Sequence, residues 1–178
     1  KICAEIMDNQ LDVPLGILKL PVPLKEDYNR RQKLIELIEK PLWTITGKCA
    51  KDTLIPDLVS ICKVNEQHQF IIFDAKYYNA HLEKGIVPTG QPGIESITKQ
   101  YLYQLAYQRF IEDHKFSSVK NCFLLPTENN EIEDKGEVRM EMLSNLGLQD
   151  IKIRLIPATM AYDLYLSGSK MDMERLDL

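Results

Sequence analysis

The sequence of 178 residues predicts an α/β fold in which a central mixed sheet is flanked by helices. Three observations carry that expectation. The run Phe70-Ile71-Ile72-Phe73 is apolar on both faces, as a strand buried in the middle of a sheet must be. A long amphipathic stretch over 94–115 follows it. Beyond that helix lie further runs of strand character, so the order strand, helix, strand fits one sheet with helices on its faces.

Taken in order, residues 1–10 carry Ile2, Cys3 and Ile6 at helical spacing and are expected to form a helix. Prolines break 13–24 into an extended loop. Over 26–40, Leu34, Ile35, Leu37 and Ile38 suggest an amphipathic helix that Pro41 stops. Strands are expected over 41–50, 53–64 and 69–79. Glycines and prolines make 79–96 a loop. The helix over 94–115 should bury Leu102, Leu105, Ala106, Phe110 and Ile111. A buried strand is read over 119–127 and a polar, acidic turn over 127–137. Half-buried strands follow over 137–143 and 150–158, then a short helix over 159–166. The tail 167–178 is expected to be peripheral.

The length suits a single domain, 1–178, with its core over about 1–158. Because Lys1 opens in mid-helix pattern, the domain is expected to have been excised from a longer chain. A net charge of −4 lacks the basic footprint of a free-standing, high-affinity DNA binder, but it suits an acidic site that holds a divalent cation. Cys3, Cys49, Cys62 and Cys122 form no CxxC pair and lie among apolar residues, so they read as buried thiols in a reducing, cytoplasmic setting. No run approaches the roughly 20 apolar residues of a membrane span.

Pro56-Asp57 and Asp74-Ala75-Lys76 carry the chemistry. Sixteen residues separate the two aspartates, which suits adjacent antiparallel strands joined by a turn over 65–68. Asp74 and Lys76, two apart on a strand, share a face, and Ala75 turns away with its carbonyl available. Phosphodiester hydrolysis needs an activated water and neutralised phosphate charge. A hard cation such as Mg²⁺ bound to two carboxylates supplies both, and a neighbouring lysine can orient the water.

The pattern Pro-Asp, sixteen residues, Asp-Ala-Lys resembles the signature of the PD-(D/E)XK nuclease superfamily. The superfamily core, helix, three strands, helix and strand, matches the order read above over about 1–126. The resemblance implies that Asp57 and Asp74 bind Mg²⁺ (with Mn²⁺ able to substitute), that the Ala75 carbonyl adds a ligand, and that Lys76 supports the nucleophilic water. More narrowly, IPDLVSI, FIIFDAKYYN and PGIESITKQYLYQLAY are similar to LlaJI-type restriction endonucleases, which are themselves similar to the McrC nuclease subunit. That implies a double-stranded DNA substrate and a separate McrB-like motor and specificity subunit. The sequence itself has no P-loop motif.

Members of the superfamily often place a Glu on the first helix and a Gln on the helix after the motif. Glu5, and Gln100 with Gln104, are the candidates here. Gln100 and Gln104 are equally readable as a solvated face. Tyr101, Tyr103 and Tyr107 are read as packing residues with surface hydroxyls. His68, His81, His114 and Lys84 form no metal pair and read as turn, loop and helix-end residues. Two other activities remain open at this point: a repair or recombination nuclease of the same fold, and a non-catalytic scaffold or DNA-binding module.

Overall fold

The computed structural model describes residues 1–178, the side chain of Ser144 apart. Its elements are α1 (Ile2–Ile6), β1 (Leu42–Trp43), β2 (Lys48–Cys49), β3 (Leu58–Val64), β4 (Gln67–Ala75), α2 (Ile94–Asp113), β5 (Ser118–Thr127), β6 (Glu133–Val138), β7 (Ile151–Pro157) and α3 (Ala158–Ser167). Short 3₁₀ turns lie at Leu15–Ile17, Leu34–Leu37, Glu141–Leu146 and Met173–Leu176. Five strands form one mixed sheet in the order β3-β4-β5-β7-β6, with β4, β5 and β7 mutually parallel and both edges antiparallel. Among the described residues no helix is long and apolar enough to cross a membrane.

The alternation along β4 divides the core. Phe70 and Ile72 pack with Val59 and Ile61 against Tyr103, Tyr107 and Phe110 of α2. Ile71 and Phe73 face the other way, against Ile6, Met7, Cys122, Leu124 and Ile156, with α3 outside them. Both faces of β4 are therefore covered, which is why its sequence is apolar without alternation.

Several expectations need correction. The first helix stops at Ile6, and Asp8 takes a left-handed φ of 53°. The expected helix over 26–40 is absent except for the 3₁₀ turn Leu34–Leu37. Its backbone pairs instead with the preceding loop: Leu15 N–H donates to Gln32 O (2.8 Å), Gly16 N–H to Arg30 O (2.9 Å), Leu34 N–H to Val13 O (3.1 Å) and Ile35 N–H to Leu11 O (2.9 Å). Gly16 permits this approach, because a Cβ there would sit 2.9 Å from Arg30 O. The apolar side chains of the segment still reach the core, with Leu34 and Ile38 buried.

The expected strand over 41–50 is the two-stranded ribbon β1–β2, detached from the central sheet, so only β3 and β4 of that sheet precede α2. Strand β4 ends at Ala75, short of 79. The acidic stretch read as a turn contributes the edge strand β6, and the 3₁₀ turn Glu141–Leu146 takes the place of the end of the strand expected over 137–143. The buried stripe of α2 is Gln100, Tyr101, Tyr103, Gln104, Tyr107, Phe110 and Ile111; Leu102 is exposed and Leu105 and Ala106 are half-buried. The tail is not peripheral. Met171 and Leu176 are buried, and Arg154 holds the chain end by donating to the carbonyls of Leu176 and Asp177. Of the cysteines, Cys122 is buried and Cys3 and Cys62 are partly so, but Cys49 on the detached ribbon is exposed.

Candidate active site

The geometry of the site starts at the β3–β4 turn. Asn65 and Glu66 take φ of 48° and 66°, the two consecutive left-handed residues of a tight hairpin turn. They lock Val64 opposite Gln67, and the register runs up the hairpin to Leu58 opposite Phe73. One step further, position 57 lies opposite position 74. A slip of one residue would turn every side chain of the hairpin to the wrong face, and the buried residues on both sides forbid it.

Asp57 stands just before β3, exposed, after the buried Pro56. Its Oδ2 accepts the Ala75 N–H at 2.9 Å, which ties the carboxylate to the end of β4. Asp74 is 5% exposed. Its Oδ2 lies 2.9 Å from Lys76 Nζ, and the Lys76 N–H donates to Leu124 O at 2.8 Å, holding the lysine beside β5. The sequence expectation that Asp57, Asp74 and Lys76 meet at one end of the sheet matches this placement.

The electrostatics are those of a crowded acid pair. Burial, then the neighbouring Asp57, push the Asp74 carboxyl up to about 6, against the opposing pull of Lys76. Burial works to lower the Lys76 ammonium, but Asp74 and then Asp57 prevail and hold it above its ordinary value. The site thus lacks positive charge: Lys76 alone faces two carboxylates, one of them nearly inaccessible to water.

Tyr103 is a residue that sequence reasoning missed. Its hydroxyl donates to Ile55 O at 3.0 Å, anchoring the segment that delivers Asp57. Burial, then the charges of Asp74 and Asp57, raise this phenol to about 12. The other two tyrosines also correct the expectation of surface hydroxyls: the Tyr101 hydroxyl accepts from Met140 N–H at 3.2 Å, and the Tyr107 hydroxyl is buried without a partner. The available signal was the i, i+3, i+4 spacing of Gln100, Tyr103, Gln104 and Tyr107, which puts the polar residues on the face toward the sheet. Tyr103→Phe should lower stability by about 1 kcal/mol in chemical denaturation; an unchanged midpoint would mean that Pro56 and the Ala75 N–H suffice to place Asp57.

Gln100 and Gln104 lie under the sheet. Gln100 Nε2 donates to Ile72 O at 2.8 Å, two residues before Asp74, while its Oε1 is buried without a partner. Gln104 Oε1 accepts from Asn121 Nδ2 at 2.7 Å and from Gln149 N–H at 3.0 Å. Both glutamines are buried and bonded, so the solvated-face reading fails for them. Glu5 is not brought to the acid pair. The apolar recess beside Lys76 is lined by Ile2, Cys3 and Ala75, whereas Glu5, two helix positions on, lies near Lys170 with Oε2 4.0 Å from Nζ. Among the described residues, no group of three or more His, Cys, Asp or Glu is placed to hold a metal.

The histidines stand apart from the acid pair. The His81 backbone bridges to Thr89, and His68 faces Lys63 across the β3–β4 hairpin. His114 is fully buried: its Nε2 accepts the Lys25 N–H at 3.3 Å and its Nδ1 faces Phe110 O at 2.8 Å. With Nε2 accepting, Nδ1 is the nitrogen left to donate to Phe110 O.

Residues 25–164 match the LlaJI restriction endonuclease family, a span that contains the aspartates, Lys76 and both glutamines and excludes Glu5. The chain is also 29% identical over 158 residues to the type II restriction enzyme BsuMI component YdjA of Bacillus subtilis (strain 168). The alignment covers 85% of this chain and 32% of that protein, so the chain spans about a third of its relative's length. No solved structure matches it. By the extent of the matched segment, this chain belongs to the LlaJI restriction endonuclease family.

Proposed function

We propose that the chain is the metal-dependent nuclease domain of a restriction system, hydrolysing phosphodiester bonds of double-stranded DNA. The observation that carries this reading is the pair of facing carboxylates, one buried and holding its proton to about 6, with a single lysine beside them. Asp57 and Asp74 fit a hard divalent cation, Mg²⁺ with Mn²⁺ as substitute, since such ions take one or two carboxylates and keep several waters. Two protein carboxylates are thus enough, and the Ala75 carbonyl is a candidate third ligand. When bound, the cation would supply Lewis acidity and a water of lowered pKa.

The chain's own residues then have separate tasks. Asp57, held by the Ala75 N–H, keeps one carboxylate at the sheet edge. Asp74 must be ionised to bind. Lys76 stabilises that ionised form and presents an ammonium where an attacking water and a scissile phosphate would meet. The relative is named as a component of a restriction enzyme. Together with the acidic charge of this chain, this supports target selection by a separate subunit, a role we assign to a McrB-like motor in the cytoplasm.

The direct test is nicking of supercoiled plasmid with Mg²⁺ or Mn²⁺ against a chelator control, with and without the partner subunit. Metal-dependent nicking supports the reading, and cleavage that persists in chelator overturns it.

A pH prediction follows from Asp74. A carboxyl raised in the folded state binds its proton more tightly there than when unfolded, so its contribution to stability is full below about pH 4 and is lost as pH rises to about 6. In chelator, Asp74→Asn should therefore melt close to the wild type near pH 4 and above it near pH 7.5. Adding Mn²⁺ at pH 7.5 should raise the wild-type midpoint, by about 1.4 kcal/mol at tenfold excess over Kd, and leave the variant unmoved. Equal Mn²⁺ shifts in both proteins would remove Asp74 from the ligand set.

A further inference from the structure

The ribbon β1–β2 has no role in the core. Every residue over 39–49 is exposed, and the ribbon pairs with nothing but itself. Its registers are Leu42 with Cys49 and Trp43 with Lys48. The turn is closed locally: the Thr46 and Gly47 N–H groups both donate to Trp43 O, at 3.0 and 2.9 Å, and Gly47 takes φ of 63°. A shaped hairpin is thus built only to hold Trp43 and Ile45, 62% and 95% exposed, away from the body. An isolated two-stranded hairpin is marginally stable, and apolar side chains shown to water mark a contact surface.

Charge selects the partner. Lys40, Lys48 and Lys51 lie on this ribbon with no acidic residue among 40–51, and no carboxylate within 4.0 Å of them among the described residues. Glu39 and Asp52 flank its base, on the cleft toward Arg109 of α2. The chain's net charge is −4, so the remainder without those three lysines is −7. A cationic, aromatic ribbon on an acidic body fits a polyanion. Lysine is depleted in protein–protein interfaces, whereas aromatic and apolar side chains interleaved with lysines suit nucleic acid. The major groove admits a two-stranded ribbon. Position matters too: six residues lead from Lys51 to Asp57, a reach of about 20 Å, less than one turn of duplex at about 34 Å.

We propose that the ribbon over 40–51 is a DNA-contacting arm, with Lys40, Lys48 and Lys51 on phosphates and Trp43 and Ile45 entering a groove of the duplex that is cut at Asp57 and Asp74. The proposal rests on the nuclease reading only for which duplex is cut, and binding can be measured apart from cleavage. Trp43 is the chain's one tryptophan, so its emission reports this arm alone.

The experiment titrates a short duplex oligonucleotide into the full chain in chelator, following Trp43 emission. Anisotropy of labelled duplex is measured in parallel for wild type and for Lys40→Ala/Lys48→Ala/Lys51→Ala. The expected result is a change in Trp43 emission on binding. In the triple variant the salt slope should be smaller by about 3, equivalent to about 40-fold in affinity between 50 and 200 mM salt. Trp43→Ala should weaken binding about fivefold or more. Equal duplex affinity in all variants with unchanged Trp43 emission overturns the proposal. Absence of any duplex binding overturns it as well. Normal binding without metal-dependent nicking leaves the arm assigned and removes the nuclease reading instead.

Discussion

Asp74→Asn should abolish metal-dependent nicking of plasmid DNA, and Lys76→Ala should reduce it by about 100- to 10,000-fold, with both proteins still folded. The two substitutions act on different parts of one unit. Asp74→Asn removes a negative charge that is already costly to bury, so the variant loses a ligand without losing packing. Lys76→Ala leaves that carboxylate with Asp57 for a neighbour and no ammonium at 2.9 Å. Its proton affinity should rise further, so whatever activity remains should shift to higher pH. The measurement is the nicking rate in Mn²⁺ across pH 6 to 9, with far-ultraviolet circular dichroism and a melting curve beside it. Wild-type rates in either variant would exclude this acid pair as the site of chemistry. A rate loss matched by a collapsed melting curve would assign Lys76 a structural role.

A second large effect, on stability, is expected at Arg154. This guanidinium is 2% exposed and sits between the sheet and the chain end. It donates to the carbonyls of Leu176, Asp177 and Ile153, and to Asp134 Oδ1 at 2.6 Å. Asp134 is more than half exposed, so its loss as a partner costs little, and the cost concentrates in the orphaned carbonyls and the apolar residues they dock. Arg154→Met should cost about 3 kcal/mol in urea denaturation and open the chain end to proteolysis. Leu176→Ala, which removes a fully buried side chain but leaves Arg154, should cost about 2–5 kcal/mol. If Arg154→Met unfolds at the wild-type midpoint while Leu176→Ala does not, the tail is held by packing alone.

The acid pair, the lysine and the sheet that carries them were legible in the sequence. Residues 70–73 are apolar enough for a doubly covered strand, the run over 53–64 precedes them at hairpin distance, and the pairing of position 57 with 74 follows once the turn between them is tight. Helix α2, β5, β7 and α3 were legible for the same reason: their patterns arise from contacts made along a whole face of each element. What the sequence did not decide depended on partners far away in the chain. The apolar spacing over 26–40 suits a helix, but its N–H and C=O groups are taken by residues 11–16 across a close contact at Gly16, and a local pattern cannot register that competition. The β-propensity of 41–50 could not tell a central strand from a free ribbon, since that difference lies in whether another strand offers its edge. The tail looked polar, yet Leu176 is held in the core by one buried arginine on β7, and Met171 by its N–H donating to Ile6 O at 2.7 Å. Sequence by itself determined which carboxylates share an end of a sheet, because strand periodicity and a short polar turn are local. Tertiary structure decided how deeply Asp74 is buried, that Tyr103 anchors the approach to Asp57, and that Glu5 lies by Lys170, because burial and long-range hydrogen bonds are properties of packed faces.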